Sequence, residues 1–198
     1  SVRVPPVSVV MAAVAVVGAS SLRAQWATFQ DQTATRLVCA PALGSADPQE
    51  KDYAWADFDQ DGDIDLVVVR KSPQTTTGHF PNVLLMNENG VLTDRTATLA
   101  SASLIPGSQG MLDATNDRDV VAVDVNGDGW IDLVTATTLS LGDPQYIRVP
   151  RVYINRGSQL GVWQGFLYDD ALRIDDTVWQ GGQRFGAIEA GDIDGDGD

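Results

Sequence analysis

A nine-residue acidic loop occurs three times along the chain. It reads Asp57-Phe58-Asp59-Gln60-Asp61-Gly62-Asp63-Ile64-Asp65, then Asp124-Val125-Asn126-Gly127-Asp128-Gly129-Trp130-Ile131-Asp132, then Asp192-Ile193-Asp194-Gly195-Asp196-Gly197-Asp198 at the last residue of 198. The starts lie 67 and 68 residues apart, so one structural unit is being repeated. Any fold proposed for this chain must place the same loop at the same point of each unit.

The loop chemistry suits a hard cation. Side-chain oxygens fall at positions 1, 3, 5 and 9, and Ca²⁺ takes roughly 6–8 oxygens at about 2.3–2.6 Å in a flexible cage. Glycine at position 6 permits the tight turn that lets alternating carboxylates converge. The expected ligands of the first loop are Asp57, Asp59, Asp61 and Asp65 with the carbonyl of Asp63. Those of the second are Asp124, Asn126, Asp128 and Asp132 with the carbonyl of Trp130, and the third offers Asp192, Asp194, Asp196 and Asp198. Two carboxylates about 5 Å apart repel by roughly 1 kcal/mol in water and roughly 3 kcal/mol at an effective dielectric of 20, so such a hairpin calls for a counter-cation. An acidic solvated turn is the plain alternative for one loop, and three copies in register argue against it.

An EF-hand would need a bidentate Glu at position 12 and flanking helices. Position 12 is Val68 in the first loop and Thr135 in the second. The flanks Tyr53–Ala56, Leu66–Val69, Val120–Val123 and Leu133–Ala136 are short apolar or β-branched runs, which read as strands, buried on both faces where continuously apolar. Further landmarks recur at nearly the same period: Val83–Asn87 is echoed by Val152–Asn155, and Phe29–Ala34 by Leu92–Ala97. One unit therefore reads strand, acidic loop, strand, variable loop, strand, Asn/Gly turn, strand. Four antiparallel strands in about 67 residues is the size of a β-propeller blade with one long loop.

Phe185-Gly186 followed by Asp192-Ile-Asp-Gly-Asp-Gly197, and Ala54 to Leu66 followed by Leu84-Leu-Met-Asn-Glu-Asn-Gly90, resemble the FG-GAP or VCBS-like repeats of integrin α-subunit propellers and of secreted bacterial proteins. The resemblance covers about residues 26–198. It implies an all-β chain of antiparallel four-stranded propeller blades, two of them followed by the start of a third, with Ca²⁺ in the inter-strand loops and a role in adhesion or ligand binding. The expected organisation is a signal peptide (1–24), a strand and linker (25–51), repeat 1 (52–118), repeat 2 (119–183) and the beginning of repeat 3 (184–198), an incomplete ring that self-associates or is marginally stable alone.

Charge limits the partners. There are 13 basic and 27 acidic residues, a net charge of −14, and 12 of the acidic residues sit in the three loops. Nucleic acid and anionic membranes are bound chiefly through Lys and Arg, so both are disfavoured. A protein or carbohydrate ligand is expected instead. Arg3, the apolar stretch from Val7 to Ala19 and the polar boundary Ser20–Gln25 have signal-peptide layout, with a membrane anchor as the alternative. The mature protein is then secreted, periplasmic or at the cell surface, without membrane insertion.

Cys39 is the sole cysteine, which excludes an intramolecular disulfide and suits a small buried hydrophobe. His79 is the sole histidine, so neither a zinc site nor a Ser-His triad is readily built, and no catalytic residue is assigned. The five tryptophans (Trp26, Trp55, Trp130, Trp163 and Trp179) fit packing between blades, with a sugar-stacking surface as the alternative. The expected function is a non-catalytic calcium-binding module for ligand binding or adhesion. The rival is the propeller portion of a secreted polysaccharide-degrading enzyme whose catalytic residues lie outside these residues.

Overall fold

The computed structural model describes residues 29–40, 47–72, 79–138, 144–169 and 186–192. The stretch expected to be a signal peptide, Trp26, Trp179 and the loop residues Asp194, Asp196 and Asp198 lie outside them. Within the described residues the chain is all-β, with three four-residue helices and one 3₁₀ turn.

The first half supplies a four-residue helix at Thr33–Arg36 (α1), then Leu37–Val38 (β1), Glu50–Ala56 (β2), Asp65–Lys71 (β3), Phe80–Pro81 (β4), Val83–Asn87 (β5) and Leu92–Asp94 (β6). The second supplies Thr96–Leu99 (α2), Ala102–Ser103 (β7), Ala114–Thr115 (β8), Asp117–Val123 (β9), Asp132–Thr137 (β10), Gln145–Arg148 (α3), Arg151–Asn155 (β11), Ser158–Gln159 (β12), Val162–Trp163 (β13) and Phe166–Tyr168 (β14).

Two five-stranded sheets result, ordered β1-β6-β5-β3-β2 and β7-β14-β11-β10-β9. In each, four strands form the antiparallel meander that the repeat pattern predicts. Each acidic loop is a hairpin connection, because β2 and β9 stop one residue before position 1 and β3 and β10 begin at position 9. The fifth strand is a departure from the sequence reading. β1 lies parallel to β6, and β7 parallel to β14. The helices Thr33-Ala-Thr-Arg36 and Thr96-Ala-Thr-Leu99 turn the chain into these two-residue strands, so α2 and β7 carry it from the first sheet to the edge of the second.

Burial follows the pleat. Every residue of β3 is buried, as the apolar run Leu66–Val69 predicts for its centre, and the burial extends beyond that reading to Asp65, Arg70 and Lys71. One face of the first sheet (Ala54, Val67, Val69, Leu84, Met86) joins Leu133, Tyr153, Phe166 and Tyr168 of the second in the main core. The opposite face holds Leu66, Val68, Val83 and Leu85, packed with Leu37, Cys39 and Leu92, so Cys39 serves as a small hydrophobe. Fully burying a side chain such as Leu84 or Phe166 contributes about 1.5–3 kcal/mol relative to exposure. The tryptophans divide. Trp163 packs edge-on to Phe166, with ring centroids 5.4 Å apart, whereas Trp55 is 57% exposed on the face of β2 turned away from the main core.

At the opposite end from the acidic loops, the buried Arg151 donates to the carbonyls of Tyr146 and Gly110 and pairs with Asp113 at 3.1 Å. Asp117 accepts from Thr115, Thr137 and Asn82, the last joining the two sheets. Asp117 is thereby satisfied by hydrogen bonds, and the Arg151 charge is paired, in a low-dielectric interior where an unpaired charge is costly.

Candidate metal centre

The first loop brings three of its predicted ligands together. One carboxylate oxygen from each of Asp57, Asp59 and Asp61 lies within 4.8 Å of the others, the one metal-capable group of His, Cys, Asp or Glu among the described residues. Asp57 is held at the loop entrance because its Oδ1 and Oδ2 accept the N–H groups of Asp61 and Gly62, each at 3.0 Å. Asp61 Oδ1 accepts Asp63 N–H at 2.9 Å. Gly62 has φ +98°, which a Cβ would strain, so glycine at position 6 is a backbone requirement.

The second loop repeats this wiring. Asp124 accepts the N–H groups of Asn126, Gly127 and Asp128 on Oδ1 and that of Gly129 on Oδ2. Desolvation pushes the Asp124 carboxyl up, but these four donors together hold it below its ordinary value. At position 3, Asn126 donates its amide to Asp128 Oδ2 at 2.8 Å, a hydrogen bond that Asp59 has no proton to make at neutral pH. Position 4 differs as well: Gln60 sits at φ +59°, where the second loop has Gly127 at φ +70°. Gln60 Nε2 in turn donates to the Gly129 carbonyl at 2.9 Å, joining the two loops.

Position 9 plays a separate part. Asp65 stands outside the three-carboxylate group and is buried; its Oδ2 accepts Phe58 N–H at 3.0 Å and its Oδ1 accepts Asn87 N–H at 2.8 Å. Asp132 does the same with Val125 at 3.0 Å and Asn155 at 2.7 Å. These carboxylates clamp each loop to the third strand of its own sheet, and each retains lone pairs beyond those bonds. Burial pushes Asp65 up to about 6, against the Asn87 and Phe58 donors and with added repulsion from Asp59 and Asp61. Asp132 is raised for the same reason, chiefly desolvation, with Asp128 and Asp124 adding to it. Desolvation and the neighbouring Asp61 charge also raise Asp59.

Crowded carboxylates whose protons are held too tightly are what a bound cation relieves, and the donor set is all oxygen. The residues therefore fit a hard divalent ion in the first loop. Asp63 and Trp130, expected to contribute carbonyls, both lie at the bend and donate their N–H groups to the position-5 carboxylates. Asp192 is exposed on the segment 186–192.

Two contributors escaped the sequence reading. Phe58, at position 2, is fully buried against Phe166 of the second sheet, with centroids 5.3 Å apart and an edge-on angle of 77°. Asn155 donates to the carbonyls of Ile131 and Phe58 and accepts from Gly157 and Trp163, so it ties both loops to β11. Its recurrence as Asn87 was visible in the sequence; its role was not.

The fold and loops together define an all-β repeat protein whose hairpins carry acidic, oxygen-rich turns. Residues 57–135, from the start of the first loop to the strand after the second, match the family model described as an FG-GAP-like repeat, and the chain carries this repeat. No curated protein and no solved structure gives a match.

Proposed function

We propose that this chain is an exported, calcium-binding β-propeller repeat module that binds a protein or carbohydrate ligand, in adhesion or capture, without catalysis. The observation that carries the reading is the convergence of Asp57, Asp59 and Asp61 on a loop whose backbone wiring recurs one repeat later. Face-to-face stacking of two like sheets through one core supports blades as the unit, and the FG-GAP-like repeat supports a propeller as their assembly. In this reading Asp57, Asp59 and Asp61 hold the first ion and Asp124, Asn126 and Asp128 the second, while Asp65 and Asp132 fix loop shape and offer further oxygens. The ion supplies positive charge to a hairpin that otherwise repels itself. Export follows from the N-terminal layout. Thermal melting in calcium against chelator tests the metal, and a glycan array with the calcium-loaded protein tests the ligand class. Identical melting in both buffers would remove the metal from the account.

A further inference from the structure

A hydrogen bond between successive units recurs at the repeat period. Five residues before each acidic loop the sequence has Asp52 and Asp119, and four residues before each loop lie Tyr53, Val120 and Ile188. Asp52 Oδ2 accepts the Val120 N–H at 3.1 Å, and Asp119 Oδ2 accepts the Ile188 N–H at 2.9 Å. Val120 N–H is shared, because Asp119 Oδ1 also accepts it at 2.9 Å. Two half-buried carboxyl groups from adjacent sheets thus meet over one backbone donor. Two carboxylates that share one donor repel, and a proton held by one of them replaces that repulsion with a hydrogen bond to the other.

The paired strands set apolar residues opposite both carboxyls. β3 sets Val69 opposite Asp52, and β10 sets Ala136 opposite Asp119. Among the described side chains, β9 adds the exposed Arg118 and the segment 186–192 adds the exposed Glu189. We propose that Asp52 and Asp119 form a proton-operated latch between the first two repeats, closed while Asp52 holds a proton and loosened when it ionises. Desolvation, and after it the neighbouring Asp119 carboxyl, hold Asp52 above its ordinary value, with the N–H groups of Val120 and Tyr53 opposing. The sign follows: a raised folded value stabilises at low pH, and the contribution is lost as pH rises through it. The corresponding residue before the third loop is Ala187, so the Asp119–Ile188 contact lacks a second carboxyl and this switch belongs to the first junction.

Asp52→Asn tests the latch, because the amide can accept from Val120 and donate permanently to Asp119. Melting temperatures of the full chain, wild type and Asp52→Asn, are measured from pH 4 to 8 in saturating calcium, and the Asp52 carboxyl is titrated by carbon NMR in the wild type. The latch predicts that Asp52 titrates above its ordinary value, and that the wild type loses melting temperature over that interval relative to the variant. Parallel pH profiles for the two proteins would overturn it. So would titration of Asp52 at its ordinary value, a result that does not depend on the variant folding.

Discussion

Phe58→Ala removes the side chain that fastens the first loop to the second sheet. The phenyl ring is fully buried and meets Phe166 edge-on at 5.3 Å. Truncating a buried Phe to Ala costs about 3–5 kcal/mol, of which the aromatic pair accounts for about 0.5–1.5. The main-chain bonds of residue 58, to Asp65 and from Asn155, remain available to alanine, so the loss reports the ring itself. For a unit of this size about 1 kcal/mol shifts the melting temperature by roughly 2–4 °C, giving an expected fall of roughly 6–20 °C. The internal control is Val125→Ala at the equivalent loop position, where the half-buried side chain makes a loss of about 1 kcal/mol or less the expectation. Urea unfolding of wild type and both variants in saturating calcium gives the comparison. Equal losses for the two variants, or a loss below about 1 kcal/mol for Phe58→Ala, would refute the claim that the second sheet holds the first loop.

Asp61→Ala is expected to abolish calcium binding at the first loop, whereas Gln60→Ala leaves it nearly intact, since position 4 bonds to the Gly129 carbonyl and not to the ion; calcium titration of each variant followed by NMR checks this. Asn126→Asp should tighten calcium at the second loop by adding a charged ligand, and should weaken the calcium-free loop by replacing the amide bond to Asp128 with repulsion of about 1 kcal/mol. Calcium-free stability should decline as pH rises. Asp65 moves from 3.8 to about 6 on folding, so its contribution is full below 3.8 and lost through pH 6, on the order of 3 kcal/mol in all. The stabilisation gained from calcium, read as a melting shift, should accordingly be larger at pH 7 than at pH 5.

The loops and the strands around them were legible in the sequence because their signals are local. Alternating Asp with Gly62 or Gly129 specifies the turn, and the runs Leu66–Val69 and Val120–Val123 specify the flanking strands. The parallel strands β1 and β7 were not legible, since two residues after a four-residue helix carry no periodicity and their partners lie in another part of the chain. The clamp at Asp65 and Asp132 was hidden for a related reason. The spacing marks position 9 as an oxygen donor but does not say that Asn87 and Asn155 arrive from the third strand to occupy it. Phe58 and Val125 stand at equivalent positions yet differ in burial, which depends on the sheet each one faces. Trp55 is the converse case: blade packing was expected, and the edge position of β2 leaves it exposed.

The most direct test of calcium in these loops is the melting temperature of wild type, Asp61→Ala and Asp128→Ala as calcium is raised from chelated to several millimolar, with magnesium as control. Extracellular calcium modules have dissociation constants of roughly 10⁻⁴–10⁻³ M, and an ion at 100 times its constant adds about 2.7 kcal/mol per site. The account predicts a saturable rise for the wild type, a smaller rise for each variant and little response to magnesium. A wild-type melting temperature that does not move with calcium, or one that moves equally in all three proteins, would contradict it.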